Sequence, residues 1–281
     1  MNEIVFRPNA KQMMALRAKT KYVGYGGARG GGKSWFIRTK ALLLANRYPG
    51  IKMLIVRKSF RELMNNHVNP LLELLHGLAK YNRQDKVFTF GNGSTIAMGY
   101  CATDADLDQY QGAEYDVIFL DEATQLDEEW IKKIVACCRG VNSFCKRVYM
   151  TCNPGGRGHG YVKRIFIDRQ YRSGENPEDY TFIQAKVTDN QALMDAQPEY
   201  IRQLEALPPK LRKAWLEGSW DIFSGQFFEE FRNDPDHYQD RRWTHVIDPL
   251  TPRELKRCNI YRSFDWGYHH PFSAAWYAVD T

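Results

Sequence analysis

The stretch "GYGGARGGGKSWF", Gly24 to Phe36, sets six glycines between the apolar run "YVGYGG" and a run that reads as a helix. Within it, Gly27-Ala28-Arg29-Gly30-Gly31-Gly32-Lys33-Ser34 matches G-x-x-x-x-G-K-[ST], the Walker A spacing, at every fixed position. Glycines let successive backbone N–H groups turn inward around an anion without side-chain collision. The helix that follows offers its positive N-terminal end to the same anion. The spacing therefore predicts a strand over Tyr22–Gly27 and a phosphate-holding turn built on Gly27, Ala28, Gly30, Gly31 and Gly32. A helix over Ser34–Asn46 follows and is stopped by "RYPG". Lys33 would reach the β- and γ-phosphates, and Ser34 would hold Mg²⁺. Arg29, the one charge between the glycines, could pair with the γ-phosphate through its planar guanidinium.

The remaining sequence supplies a sheet for that turn. "MLIVR" (Met53–Arg57), "DVIFLDE" (Asp116–Glu122), "RVYMTCNP" (Arg147–Pro154) and "TFIQAKV" (Thr181–Val187) read as buried strands. Leu71–Lys80 and Asp127–Cys138 read as helices, and Val87–Met98 as a hairpin around Gly-Asn-Gly. Strands alternating with helices predict an α/β fold, a mainly parallel sheet covered on both faces. Pro198–Trp220 reads as helical, broken at Pro208-Pro209, and Phe223–Pro252 as a linker or lid. Ile260–Gly267 and Phe272–Thr281 read as the opening hairpin of something further. The expected division is a nucleotide-binding core at 1–180, a lid and linker at 181–255, and the first strands of another domain at 256–281.

Composition narrows the setting. No apolar run approaches the ~18 residues of a membrane helix, so no membrane partner is expected. No apolar leader opens the chain, which suggests the cytoplasm. The six cysteines form no C-x-x-C pair and read as buried reduced thiols. A net charge of +6 permits nucleic acid as a partner without requiring it.

Asp121 and Glu122 follow "VIFL" directly, so the strand delivers both to the sheet edge where α/β ligands gather. Asp121 would hold Mg²⁺ as a Walker B aspartate, and Glu122 would orient and partly deprotonate the attacking water. That second acid points to hydrolysis of ATP. "FRPNAKQ" (Phe6–Gln12) is similar to the Q-motif of helicase-like ATPases, in which a glutamine amide, here Gln12, reads the adenine edge. The start of an amphipathic helix explains the same residues equally well. In "MTCNPGG" (Met150–Gly156), Thr151 and Asn153 would lie beside Glu122 and sense the γ-phosphate. A strand running into a turn explains that stretch without chemistry.

"GARGGGKS", "QGAEYDVIFLDEATQ", "MTCNP" and "PEYIRQLEALPPKLRKAWLEGSWDIFSGQFF" occur in the order and spacing seen in the large terminase subunit of tailed bacteriophages. The last is the most specific, with Leu-x-Gly-x-Trp-Asp at Leu216–Asp221 and Gly-x-x-Phe at Gly225–Phe228. The resemblance covers nearly the whole chain. It implies a P-loop ATPase of the additional-strand, catalytic-glutamate type with a small lid lobe, then an RNase H-like two-metal nuclease. It implies double-stranded DNA, the portal protein and the small terminase subunit as partners. It also implies a ring, usually of five copies, on the procapsid in the host cytoplasm, from a chain that is monomeric alone. Asp265 in "SFDWG" resembles the first nuclease aspartate, set mid-strand; the other metal-binding acids are missing, so this chain is read as cut short and without nuclease activity. A ring would supply an arginine to the neighbour's ATP, with Arg139, Arg157 and Arg83 as candidates. Gln111 precedes Gly112 where the family often has arginine.

A motor gripping any sequence must hold phosphates. Lys163, Arg164 and Arg169, or Lys210, Arg212 and Lys213, could do so, although a solvated helix face is the usual fate of such runs. Two other readings stand beside the motor: a helicase-like nucleic-acid ATPase, which would need a second lobe, and an assembly module in which ATP only joins subunits.

Overall fold

Along β2 (Lys52–Arg57), alternate side chains fall into two different cores: Met53 and Ile55 into one, Leu54 and Val56 into the other. β6 (Val117–Leu120) does the same, with Val117 and Phe119 on one face and Ile118 and Leu120 on the other. Such strands are buried on both faces, which explains why they are apolar throughout rather than alternating. They lie at the centre of an eight-stranded sheet in a computed structural model that describes residues 4–221, 256–265 and 273–280.

The chain divides into two units, Met1–Ser224 and Gly225–Thr281. The first opens with α1 (Ala10–Arg17), β1 (Tyr22–Gly27) and α2 (Lys33–Arg47), followed by β2. Then come α3 (Phe60–Leu63), a π-helical turn Met64–Val68, α4 (Asn69–Leu74), β3 (Ala79–Asn82), β4 (Val87–Phe90) and β5 (Thr95–Tyr100). β6, α5 (Glu128–Val135), β7 (Arg147–Cys152), α6 (His159–Val162) and β8 (Tyr180–Ala185) complete the sheet and its cover. α7 (Gln191–Ala196), α8 (Tyr200–Glu205), α9 (Pro209–Arg212) and a π turn Lys213–Glu217 follow. The second unit contributes β9 (Cys258–Asp265) and β10 (Ser273–Asp280), an antiparallel pair.

The sheet order is β3-β4-β5-β2-β6-β7-β1-β8. Strands β5, β2, β6, β7, β1 and β8 run parallel, and β4 and β3 extend the β5 edge as antiparallel strands. The α/β fold and its mainly parallel sheet are therefore as the sequence predicts. β7 stands between β1, which carries the glycine loop, and β6, which carries the acids. This is the additional strand, and it brings the residues after Cys152 between loop and acids. β1 can approach β7 closely because Gly26 lacks a side chain: a Cβ there would collide with the Cys152 carbonyl oxygen.

Some elements differ from expectation. The helix expected over Leu71–Lys80 ends at Leu74, and Ala79 and Lys80 begin β3. Gly77 takes a left-handed conformation (φ 76°) that stops the helix, and pairing with β4 claims the next residues. β8 pairs with β1 along its whole length, so the sheet runs past the boundary expected at 180. Cys101, Cys137 and Cys152 are buried as expected, but Cys145 is exposed. Asp265 pairs with Ser273 in the β9–β10 ladder. The expected linker at Phe223–Pro252 and the Gly225–Phe228 motif lie outside the described residues. Among the described residues, no helix is long and apolar enough to cross a membrane.

Candidate functional site

The glycine loop folds as the spacing predicts. Gly32 caps α2 in the left-handed conformation (φ 73°, ψ 27°), which favours glycine, and a Cβ there would strike the Gln12 side chain. Lys33, the first residue of α2, turns back into the loop and donates to the Ala28 carbonyl at 2.9 Å. The Ser34 hydroxyl donates to Asp121 Oδ2 at 3.0 Å, so the Walker A and Walker B residues meet directly. A hydroxyl and a carboxylate side by side are hard oxygen donors of the kind Mg²⁺ takes, and with the glycine cradle they fit a metal–nucleotide pair.

Asp121 is fully buried and carries several contacts. Thr151 Oγ1 donates to its Oδ1 at 2.5 Å. His67 Nε2 lies 2.8 Å and Arg57 Nε 3.5 Å from its Oδ2. Burial pushes this carboxyl up, but His67, Arg57 and the Thr151 hydroxyl outweigh it and hold the group well below the usual carboxylate range. His67, also fully buried, is pushed down by burial against the pull of Asp121. Its Nε2 faces the Asp121 carboxylate, and Nδ1 has no hydrogen-bond partner among the described residues.

Glu122 turns the chain with a left-handed backbone (φ 57°, ψ 50°), unusual for a residue with a side chain. Its N–H donates to Thr151 Oγ1 at 3.0 Å. Asn153 Nδ2 donates to both Glu122 carboxylate oxygens, at 3.0 and 2.9 Å. The same amide accepts from Lys33 Nζ through Oδ1 at 2.7 Å. Asn153 therefore spans loop and acid, and Lys33 Nζ sits 3.8 Å from Glu122. Lys33, Glu122 and Asn153 line an open cavity of about 470 Å³ together with Arg29, Arg57 and Gly30–Gly32.

Two expected roles meet a different geometry. Gln12 does not present a free amide for adenine: Oε1 accepts from the Asn9 N–H that it caps, and Nε2 donates to the Gly32 carbonyl at 3.3 Å. It ties the start of α1 to the glycine loop instead. Arg29 is stacked on Trp215, its guanidinium carbon 3.3 Å from the ring centre, while its N–H donates to the Trp215 carbonyl. A cation over an indole face is held by the ring quadrupole, so this arginine, which also lines the cavity, is stacked on the helical stretch after Pro209.

The basic candidates separate. Arg164 is engaged by Glu175 through two parallel bonds of 2.7 and 2.9 Å, and Lys163 by Asp168 and Asp221. Arg169, Arg212 and Lys213 are exposed; Lys210 lies on α9. Of the arginines considered for a neighbour's site, Arg157 is exposed on the loop after β7 and pairs with Asp127, and Arg139 pairs with Glu114. Arg139 follows the Tyr115–Cys138 bridge at the opposite edge of the sheet, where β6 and β7 begin. Arg83 is exposed in the turn between β3 and β4.

The comparisons with known proteins place the fold in a family. Residues 25–232 match the family described as terminase large subunit, T4likevirus-type, N-terminal. The chain belongs to that family. No curated protein matches the sequence. Among solved structures, the large terminase of a thermophilic bacteriophage overlays with a TM-score of 0.64 at 18% identity, covering 97% of this chain and 66% of that one. The same phage's terminase in complex with ATP-gamma-S gives 0.60 at 18% identity over 96% of this chain and 64% of that one. The large terminase ATPase domain of Thermus phage P74-26 gives 0.55 at 14% identity over 76% of this chain and 94% of that domain. At these identities the overlays establish the fold, that of P-loop NTPases. The chain spans just under two thirds of the length of the thermophilic-phage chains.

The sequence reading missed Arg57 and His67. Arg57 had a signal, because a charge closing the apolar strand "MLIVR" sits at the same sheet edge as the acids closing "VIFL". His67 had none, since only packing brings its π turn against Asp121.

Proposed function

We propose that the chain is the ATP-hydrolysing part of a motor that drives double-stranded viral DNA into a procapsid. Family membership supports the class of protein, and the thermophilic-phage complexes named for ADP and ATP-gamma-S support a nucleotide in the loop. The observation that carries hydrolysis is Asn153, which holds Lys33 and Glu122 in one bridge beside the Ser34–Asp121 pair.

In this reading the backbone N–H groups of Gly27–Gly32 and the α2 N-terminus bind the phosphates, and Lys33 binds the β- and γ-phosphates. Mg²⁺, held by Ser34 and Asp121, would neutralise charge on the phosphates. Glu122 accepts a proton from the attacking water while Asn153 fixes its carboxylate. Thr151, bonded to both Asp121 and Glu122, keeps metal ligand and base in register and transmits a change at either to β7. The Arg29–Trp215 stack joins the loop to the lid, and Arg157, on the nucleotide side of the sheet, is the arginine best placed to reach a neighbour in a ring of copies, usually five. Duplex DNA is gripped on its phosphates by Arg169 and the Lys210–Lys213 segment, with the portal protein and small terminase subunit completing the machine in the host cytoplasm. The division into core, lid and the beginning of a nuclease domain remains part of this proposal. Asp265 would be that domain's first metal ligand.

Glu122→Gln tests the reading. Turnover of ATP should fall by about 10²–10⁴, the range for losing a general base, with ATP still bound. Unaltered turnover would overturn the assignment.

A further inference from the structure

Arg57 closes β2 at the sheet edge that carries the acids. Its side chain is only 9% exposed, and it lines the cavity formed by the glycine loop, Ser34 and Glu122. Five N–H donors in a fixed fork need acceptors when water is removed. Here Nε is buried and makes no hydrogen bond among the described residues. Among the described residues, the one ion pair of Arg57 is the long contact to Asp121, 3.5 Å from Nε, on an oxygen that His67 and Ser34 also approach. By contrast, the half-buried Arg38 donates to the Asn66 carbonyl, and Arg29, which lines the same cavity, has its guanidinium stacked on Trp215. A charged, buried, under-bonded fork facing a phosphate loop is placed for an anion with several oxygens in a plane.

We propose that Arg57 is the arginine of this chain that binds the γ-phosphoryl group of a nucleoside triphosphate, and that it rather than Arg29 distinguishes triphosphate from diphosphate. The proposal rests on the nucleotide reading above and adds a residue to it. The terminal phosphoryl group supplies the acceptors that Asp121 alone does not. After that group leaves, Arg57 is returned to its weak contact with Asp121. Because Arg57 ends β2 immediately before α3 and the His67 turn, the same contact passes the nucleotide state to the element that holds the Walker B aspartate.

Calorimetric titration of the full chain with Mg·ADP and with Mg·ATPγS provides the test, on wild type, Arg57→Gln, Arg57→Lys and Arg29→Gln. The proposal expects Arg57→Gln to lose about tenfold or more in ATPγS affinity, the effect of one charge-assisted bond, with ADP affinity nearly unchanged. Arg57→Lys should lose less, because it keeps the charge without the fork, and it carries the test alone should the glutamine variant fail to fold. Arg29→Gln should leave the ratio of the two affinities at its wild-type value. Equal losses for ADP and ATPγS would overturn the proposal, because an arginine acting only through Asp121 affects both ligands. Loss of the ratio in Arg29→Gln with retention in the Arg57 variants would also overturn it. Wild type that binds neither nucleotide would overturn the underlying nucleotide reading itself, an outcome distinct from the other two.

Discussion

Thr151, near the end of β7, and Asn153, just past it, share the work of holding two acids. Thr151 is fully buried and gives its only proton to Asp121 while accepting from the Glu122 N–H. Thr151→Val keeps the shape and removes both bonds. It leaves a buried carboxylate short of a donor, which costs about 1–3 kcal/mol. Denaturant unfolding should show that loss, and Thr151→Ser should restore most of it. Asn153→Ala should act differently: the residue is only partly buried, so the melting temperature should change little. Glu122, released from its two bonds, should lose alignment, and turnover should drop by about tenfold or more for one misplaced catalytic group. Equal activity in Asn153→Ala would show that Glu122 needs no support. Both residues were legible in "MTCNPGG" as neighbours of the acids, but the bridge from Lys33 to Glu122 was not, because spacing along a chain does not give the direction of an amide.

At the level of elements, the stretch most specific to the family explains itself by packing. Gly218 caps the π turn in the left-handed region (φ 70°), and a Cβ there would lie 2.6 Å from the Gly27 carbonyl oxygen. Trp220 stacks on His159 and meets Phe182 edge-on. The Leu-x-Gly-x-Trp pattern is thus the back support of the glycine loop, and Gly218→Ala should destabilise by about 1 kcal/mol or more, from the left-handed backbone alone, read as a lowered melting temperature. The loop after the Lys163–Ile167 turn is tied by Arg164, whose bonds, with others, hold the Glu175 carboxyl down at about 2 from its ordinary 4.5. The folded state therefore binds this proton less readily than the unfolded chain. The stabilisation is complete above about 4.5 and is lost as pH falls toward about 2. Stability measured against pH should lose part of that acid limb in Glu175→Gln.

For the whole molecule, a net charge of +6 is unevenly committed, since Arg164 and Lys163 are bound to acids while Arg169, Arg212 and Lys213 are exposed. Reversing Arg212 and Lys213 together should weaken binding to duplexes of unrelated sequence equally, and lower the slope of log affinity against log salt by about 2, near one per phosphate contact. An unchanged slope in an anisotropy titration would place the grip elsewhere. The glycine loop, the acids after "VIFL" and the buried strands were readable from sequence alone. Each is a local matter: a turn that needs glycine, a charge at a strand end, an apolar run of strand length. What the tertiary structure decided is everything that depends on which strands are neighbours. The insertion of β7 between β1 and β6 put Asn153 across Lys33 and Glu122, the stack on Trp215 drew Arg29 to the lid side, and the packing of the π turn set His67 and Arg57 around Asp121. Non-local pairing leaves no periodic trace in the chain, so these contacts became visible only when the sheet order was known.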